Sequence, residues 1–85
     1  MPKSVFTDAN KVLLDTIIAA RKGAGVTQVQ LAERLGKPQP WVSNVENGIR
    51  RLDVIEFIAI ARAIGEPAET MFETLLKKLP KKLDV

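Results

Sequence analysis

Two short amphipathic segments joined by a glycine occupy residues 27–48 and constrain the fold more than any other part of the sequence. Thr27 followed three residues later by Gln30 is a capping box, which predicts that the first helix of this segment begins here. Gly36 ends that helix, because a residue without a Cβ adopts a positive φ at little cost. A second short helix then runs to Gly48. The segment therefore predicts two helices of about eight residues each, separated by a tight turn.

The remaining apolar residues also recur at helical spacing, and no run shows the period of two that marks a strand. Three further helices are predicted: one that starts at Thr7 or Asp8 and ends at Gly23, one from about Asp53 to Gly65, and one over about residues 67–79 that Pro80 stops. Five short helices with brief connections indicate a compact all-α fold. A length of 85 residues suits a single domain over residues 1–85, with a frayed tail over residues 80–85.

Composition excludes several classes of function. Cysteine and histidine are both absent, which removes disulfides, thiolate metal sites, and the commonest metal ligand and general base. We therefore expect no catalysis, no metal and no cofactor. No apolar run approaches the length of a membrane span and the first residues lack a signal-peptide core, so a cytoplasmic protein is expected. The net charge of +3 and the pI of about 9.5 are compatible with a nucleic-acid partner.

Two short helices around a glycine turn form a helix-turn-helix. In such a motif Ala32 has to be small, because the second helix crosses closely over it. Val42 and Val45 lie three residues apart and are expected to face the core. The opposite side of the second helix is then free to contact a partner.

The motif resembles the phage-repressor and Cro type of helix-turn-helix, found in the XRE-like family of bacterial transcriptional regulators with a lambda-repressor-like fold. The residues that carry the resemblance are Thr27, Gln28, Leu31, Ala32, Gly36, Gln39, Val42, Ser43, Glu46 and Gly48. It extends to Arg21 and into the fourth helix, and so covers about residues 10–65. The resemblance implies a sequence-specific regulator that binds double-stranded DNA.

The resemblance also implies roles for individual residues. Base edges would be contacted by Gln39, Asn44, Ser43 and, without a hydrogen-bond donor, Pro40. Phosphates would be contacted by Gln28, Arg21, Trp41, Asn47, Arg50 and Arg51. Structural roles fall to Gly36, Ala32 and Glu46. Glutamine and asparagine are both best matched to adenine, which offers N6 and N7 in the major groove.

Several of these assignments have a plainer alternative. Arg21 can clamp the first helix to the third through Glu46 as well as touch a phosphate, and the clamp is the favoured reading. Trp41 lies at the border between the apolar and exposed sides of its helix, which favours a partly buried lip position over a core position. Lysines within residues 77–82 suit a solvated helix end better than a second DNA contact. Lys3 suits an unstructured terminus better than an arm on DNA.

The fifth helix carries more apolar residues than one buried face needs. Phe72, Leu76 and Leu79 are four and three residues apart and are predicted to form a homodimer interface; the alternative is that all apolar residues of this helix close the core. Together these features predict a repressor that binds an inverted-repeat operator as a homodimer. An antitoxin, with a toxin as its protein partner, and a restriction-modification controller remain alternatives within the same fold. A protein-interaction module without DNA binding is the alternative from another class.

Overall fold

The computed structural model describes residues 8–83 of the chain. It contains five α-helices in this range: α1 (Asp8–Gly23), α2 (Gln28–Leu35), α3 (Gln39–Glu46), α4 (Val54–Ile64) and α5 (Ala68–Lys78). The predicted all-α fold with a helix-turn-helix at the second and third helices is confirmed. No helix of the described range is both long and apolar enough to cross a membrane. The predictions for Lys3 and for Thr7 as a cap, and the last two residues of the predicted tail, fall outside these residues.

Capping boxes start both α2 and α4. The Thr27 hydroxyl accepts a hydrogen bond from the Gln30 amide at 3.1 Å, and the Gln30 side chain accepts one from the Thr27 amide at 2.9 Å. Asp53 and Glu56 make the same reciprocal pair, at 2.7 and 2.9 Å. Each box satisfies two N–H groups that have no partner inside the helix. The predicted starts of both helices are therefore confirmed.

A left-handed glycine makes the turn between α2 and α3. Gly36 has a φ of 67°, and its N–H group donates to the carbonyl of Glu33 at 3.1 Å. The next amide, of Lys37, donates to Ala32 at 3.0 Å and closes the helix end. Gly48 has a φ of 74° and ends α3 in a similar way. Both positions favour glycine because a Cβ is strained at positive φ.

The ends of α5 differ from the sequence-based prediction. Pro67 is the N-cap of α5 and lies outside its first turn. Leu79 has φ −68° and ψ 143°, so the helix ends at Lys78. The reason is Pro80, whose ring disfavours helical geometry for the residue before it. The prediction that Leu79 shares a helical face with Phe72 and Leu76 was therefore wrong.

The core lies where all five helices converge. Its largest fully buried side chains are Ile17, Leu31, Val42, Val45, Ile60 and Met71. Helix α3 packs against α2 and α1, while α5 packs against α1 and α4. Val42 and Val45 are 2% and 1% exposed, and each such burial stabilises the fold by about 1.5–3 kcal/mol. The predicted inward face of α3 is confirmed, and the opposite face is left to solvent.

Candidate nucleic-acid interface

The outward face of α3 is polar. Residues 39, 40, 43, 44 and 47 fall on one side of the helix, opposite Val42 and Val45. Gln39 and Asn47 are exposed, whereas Ser43 is half-buried. The Asn47 amide donates to the Ser43 hydroxyl at 3.2 Å. The structure thus brings the predicted base-contacting residues together on one accessible surface.

Two prolines define the backbone at the start of α3. Pro38 is the N-cap of α3, with φ −69° and ψ 151°, and makes no side-chain capping bond. Pro40 is exposed in the first turn, where a helix has no internal partner for an N–H group. The two rings restrict the backbone on either side of Gln39. The start of α3 is therefore stiffened by proline geometry instead of by a side-chain cap.

A buried ion pair joins α1 to α3. Arg21 Nε lies 2.6 Å from Glu46 Oε2, and Arg21 Nη2 lies 2.9 Å from Glu46 Oε1. The remaining terminal nitrogen of Arg21 donates to the carbonyl of Val26 at 2.8 Å. The two side chains are only 9% and 4% exposed. All three guanidinium nitrogens point inward, so the predicted phosphate contact of Arg21 was wrong and its role as a clamp between helices is the correct one.

Gln28 connects this ion pair to the outward face of α3. Its Nε2 donates to Glu46 Oε1 at 2.9 Å, and its Oε1 accepts a hydrogen bond from Gln39 Nε2 at 2.8 Å. Hydrogen bonds therefore run without a break from Arg21 to Gln39. Glu46 has the predicted structural role, and in addition it holds the side chain of Gln28. The phosphate contact assigned to Gln28 stays a prediction, for which Nε2 carries a second N–H group.

Trp41 occupies the edge of the interface and is half-buried, in agreement with the lip position. The Arg50 guanidinium carbon lies 4.9 Å from the centre of its ring, and Lys37 Nζ lies 5.7 Å from the same point. Both distances are within the range of cation–π attraction. Trp41 therefore lies close to two cations beside the outward face of α3.

Arg50 is further held by Glu56 at the start of α4. Its two terminal nitrogens lie 3.1 and 2.8 Å from the two carboxylate oxygens of Glu56, and Nη1 also donates to the carbonyl of Arg51 at 2.9 Å. These hydrogen bonds raise the pKa of Arg50 and lower the pKa of Glu56, which also accepts from the Asp53 amide. Arg50 is therefore a permanently charged group with a fixed direction. Its predicted phosphate contact, and that of the exposed Arg51, stay predictions.

Two residues of this surface were missed by sequence reasoning. Lys37 is exposed in the turn before α3. The signal in the sequence that could have indicated it is a basic residue immediately before Pro38, where α3 begins. Glu56 is the second, because its spacing of three residues from Asp53 predicts only a capping box. Its second role, as the partner of Arg50, depends on a bend of the chain that spacing does not reveal.

Comparison with known proteins identifies the family. The helix-turn-helix family model HTH_3 matches residues 17–71, which include all of α2, α3 and α4. The solved structure of an XRE-family like protein from Pseudomonas syringae pv. tomato str. DC3000 is 44% identical in sequence, with a TM-score of 0.81. That match covers 92% of this chain and 95% of the other. No curated protein sequence matches the chain significantly.

Two more distant structures share the fold. A mutant of the restriction-modification controller protein C.Esp1396I is 22% identical, with a TM-score of 0.77 over 85% of this chain and 91% of the other. The clp gene regulator ClgR from C. glutamicum is 18% identical, with a TM-score of 0.75 over 87% and 96%. These two structures show the shared fold alone. The family model and the 44% identical relative establish that this chain belongs to the XRE-like family of helix-turn-helix regulators, which bind DNA.

Proposed function

We propose that the protein is a cytoplasmic transcriptional repressor that binds an inverted-repeat operator as a homodimer. The observation that carries this proposal is the polar outward face of α3. The buried Arg21–Glu46 pair joins the inner side of this helix to α1. A helix held in this way can enter the major groove without losing its orientation. Binding over a promoter would exclude RNA polymerase and so repress transcription.

The base contacts are assigned to the outward face of α3. Gln39 pairs with adenine through N6 and N7, and Asn44 contacts a second base one turn later. Ser43 lies between them and contacts the groove floor through its hydroxyl. Pro40 supplies apolar contact alone, because it has no donor. Four positions on one helix suit a half-site of a few base pairs.

The phosphate contacts surround this face. Arg50, which Glu56 and Trp41 hold in place, and Arg51 approach one strand from the loop before α4. Lys37 is exposed beside Trp41 and adds a further cation. The N-terminus of α2 at Gln28 suits another phosphate, because free N–H groups and the helix dipole favour an anion there. These contacts set the register and strengthen binding to any sequence.

A homodimer is supported by the exposed apolar surface of α5. Phe72 and Leu76 are 49% and 55% exposed, whereas Met71 and Leu75 on the other side of the helix are buried. The Phe72 ring packs edge-on against Phe57, with centroids 6.2 Å apart. An apolar groove of about 140 Å³ lies beside it; the lining residues are Leu13, Leu52, Asp53, Val54, Phe57, Phe72 and Leu75.

A second copy of the chain suits this surface because one copy binds too few base pairs for useful discrimination in a genome. Two copies related by a two-fold axis place their α3 helices in successive major grooves, about 34 Å apart. The self-complementary contact of a two-fold dimer needs only one apolar patch, and α5 provides one.

Selection of bound sequences from a random DNA pool tests this function. We expect two inverted copies of one half-site with centres about one helical turn apart. A parallel selection with Gln39→Ala should lose preference at one base pair of each half-site. A protein that enriches no sequence would contradict DNA reading and favour a protein-interaction module. Enrichment of a single unpaired half-site would contradict the homodimer.

A further inference from the structure

The hydrogen bonds between Arg21 and Gln39 have a direction. Arg21 has only donors, and the carboxylate of Glu46 has only acceptors. Arg21 donates to Glu46, Gln28 donates to Glu46, and Gln39 donates to Gln28. The side chain of Gln28 is half-buried between the other two. The buried ion pair is therefore one end of a series of hydrogen bonds, and the other end is Gln39 at the N-terminus of α3.

The acceptor character of Glu46 determines how both glutamine amides are turned. The atom of Gln28 that lies 2.9 Å from Glu46 Oε1 has to be the nitrogen, since two oxygens at that distance would repel each other. The oxygen of Gln28 then faces Gln39, which in turn has to present its nitrogen at 2.8 Å. The orientation of Gln39 thus follows from a carboxylate on the inner side of the same helix.

One N–H group of Gln39 is used inside the protein, so the amide presents one N–H group and its oxygen to DNA. This pair matches adenine, which offers the acceptor N7 and a hydrogen on N6. Guanine offers two acceptors, N7 and O6, and its O6 would face the oxygen of Gln39. We propose that Glu46 is a positioning residue that selects adenine over guanine by fixing, through Gln28, the orientation of the Gln39 amide. The inference rests on the proposed role of Gln39 as a base-reading residue.

Loss of the hydrogen bonds that link Glu46 to Gln39 through Gln28 frees the Gln39 amide to rotate. Its NH₂ group can then direct both hydrogens at guanine, so that the cost of guanine at this base pair falls. Affinity for adenine changes less, because the same two contacts can still form. The expected signature is therefore a lower preference for adenine over guanine, beyond any general loss of affinity.

Two variants test this on the selected operator and on a copy with guanine in place of adenine at the Gln39 base pair. Gln28→Met leaves the Arg21–Glu46 pair intact and places an apolar side chain of similar length beside Gln39. The double variant Arg21→Met with Glu46→Met removes the acceptor itself, and replacing a buried ion pair by apolar groups of similar size usually preserves the fold. Thermal melts followed by circular dichroism check that both are folded.

We expect the wild-type protein to prefer adenine by about tenfold or more. In both variants this preference should fall by at least about threefold, since a misplaced amide no longer rejects guanine. The preference at the base pair contacted by Asn44 is the internal control and should stay unchanged. A general loss of affinity from a missing phosphate contact at Gln28 lowers binding to both operators equally and leaves the ratio alone.

Gln39→Ala separates this inference from the proposed function. If that variant keeps the preference for adenine, Gln39 does not read the base and the base-reading proposal fails. If Gln39→Ala loses the preference but Gln28→Met retains the wild-type ratio of adenine to guanine binding, the inference that Gln28 positions Gln39 is overturned. A folded double variant that retains the ratio overturns the role of Glu46. If the double variant does not fold, the result with Gln28→Met decides.

Discussion

Adjacent leucines on α5 offer a sharp test of the homodimer. Leu75 is 8% exposed and belongs to the core, whereas Leu76 is 55% exposed and points away from it. We predict that Leu76→Glu keeps the fold and abolishes self-association. Substitutions at exposed positions outside special features usually change stability by less than about 0.5 kcal/mol.

The size of the effect follows from the exposed area. Complete burial of a leucine side chain stabilises by about 1.5–3 kcal/mol, and about half of that remains available at Leu76. Each copy therefore loses about 1 kcal/mol of apolar burial, and a two-fold dimer loses about 2 kcal/mol. Desolvation of the new carboxylate adds to this loss. The dimer dissociation constant should rise by at least about thirtyfold.

Sedimentation velocity at micromolar to tens of micromolar concentration measures the association, and circular dichroism measures the fold. Leu75→Ala is the matched control: it should lower the unfolding free energy by about 2–5 kcal/mol through the cavity that it leaves. A wild-type protein that stays monomeric over this range would refute the reasoning. A Leu76→Glu variant that unfolds would assign this side chain to the core and contradict its exposed position.

Four further predictions concern the proposed DNA-binding surface. Gln39→Ala should cost about 1–3 kcal/mol on the preferred operator and little on random DNA, in a direct binding titration; equal losses on both would exclude base reading. Arg51→Ala should weaken binding to all sequences and reduce the salt slope by roughly one unit, and an unchanged slope would exclude a phosphate contact. The fluorescence of Trp41, the single tryptophan, should change on addition of operator DNA, whereas identical emission at saturation would place its ring away from the groove. The pKa of Glu56 is lower in the folded state than its ordinary value near 4.5, so its ion pair with Arg50 should stabilise the fold above that pH and lose this effect as the pH falls through the lowered pKa. Acid titration of unfolding should show this loss in the wild type and not in Glu56→Gln, and the same profile in both would contradict it.

The helices themselves could be predicted because their signals are local. The capping boxes at Thr27 and Asp53 operate within one turn of the chain, and the positive φ of Gly36 depends on the residue's own lack of a Cβ. The inward side of α3 follows from the spacing of Val42 and Val45. Where prediction failed within a helix, at Leu79, the signal was also local: Pro80 constrains the residue before it.

The side-chain partners on the proposed DNA-binding surface depend on contacts between distant segments. Arg21 is 25 residues from Glu46, and only the packing of α1 against α3 turns its guanidinium inward and away from solvent. The same holds for Gln28, whose partners Glu46 and Gln39 lie on the next helix. A residue pattern can place such groups on a helix face, but it does not give the distance between two faces.

The sequence by itself therefore determined the number of helices in residues 8–83, both ends of α2 and α4, and the side of α3 that faces solvent, because caps, glycine φ and apolar spacing act over a few residues. Only the tertiary structure decided which polar side chains remain available to DNA. Arg21 is removed from that set by burial, and Arg50 is held at its edge by Trp41 and Glu56. Hydrogen bonds, including those within an ion pair, form only at about 3 Å, so their partners are settled only when the helices pack.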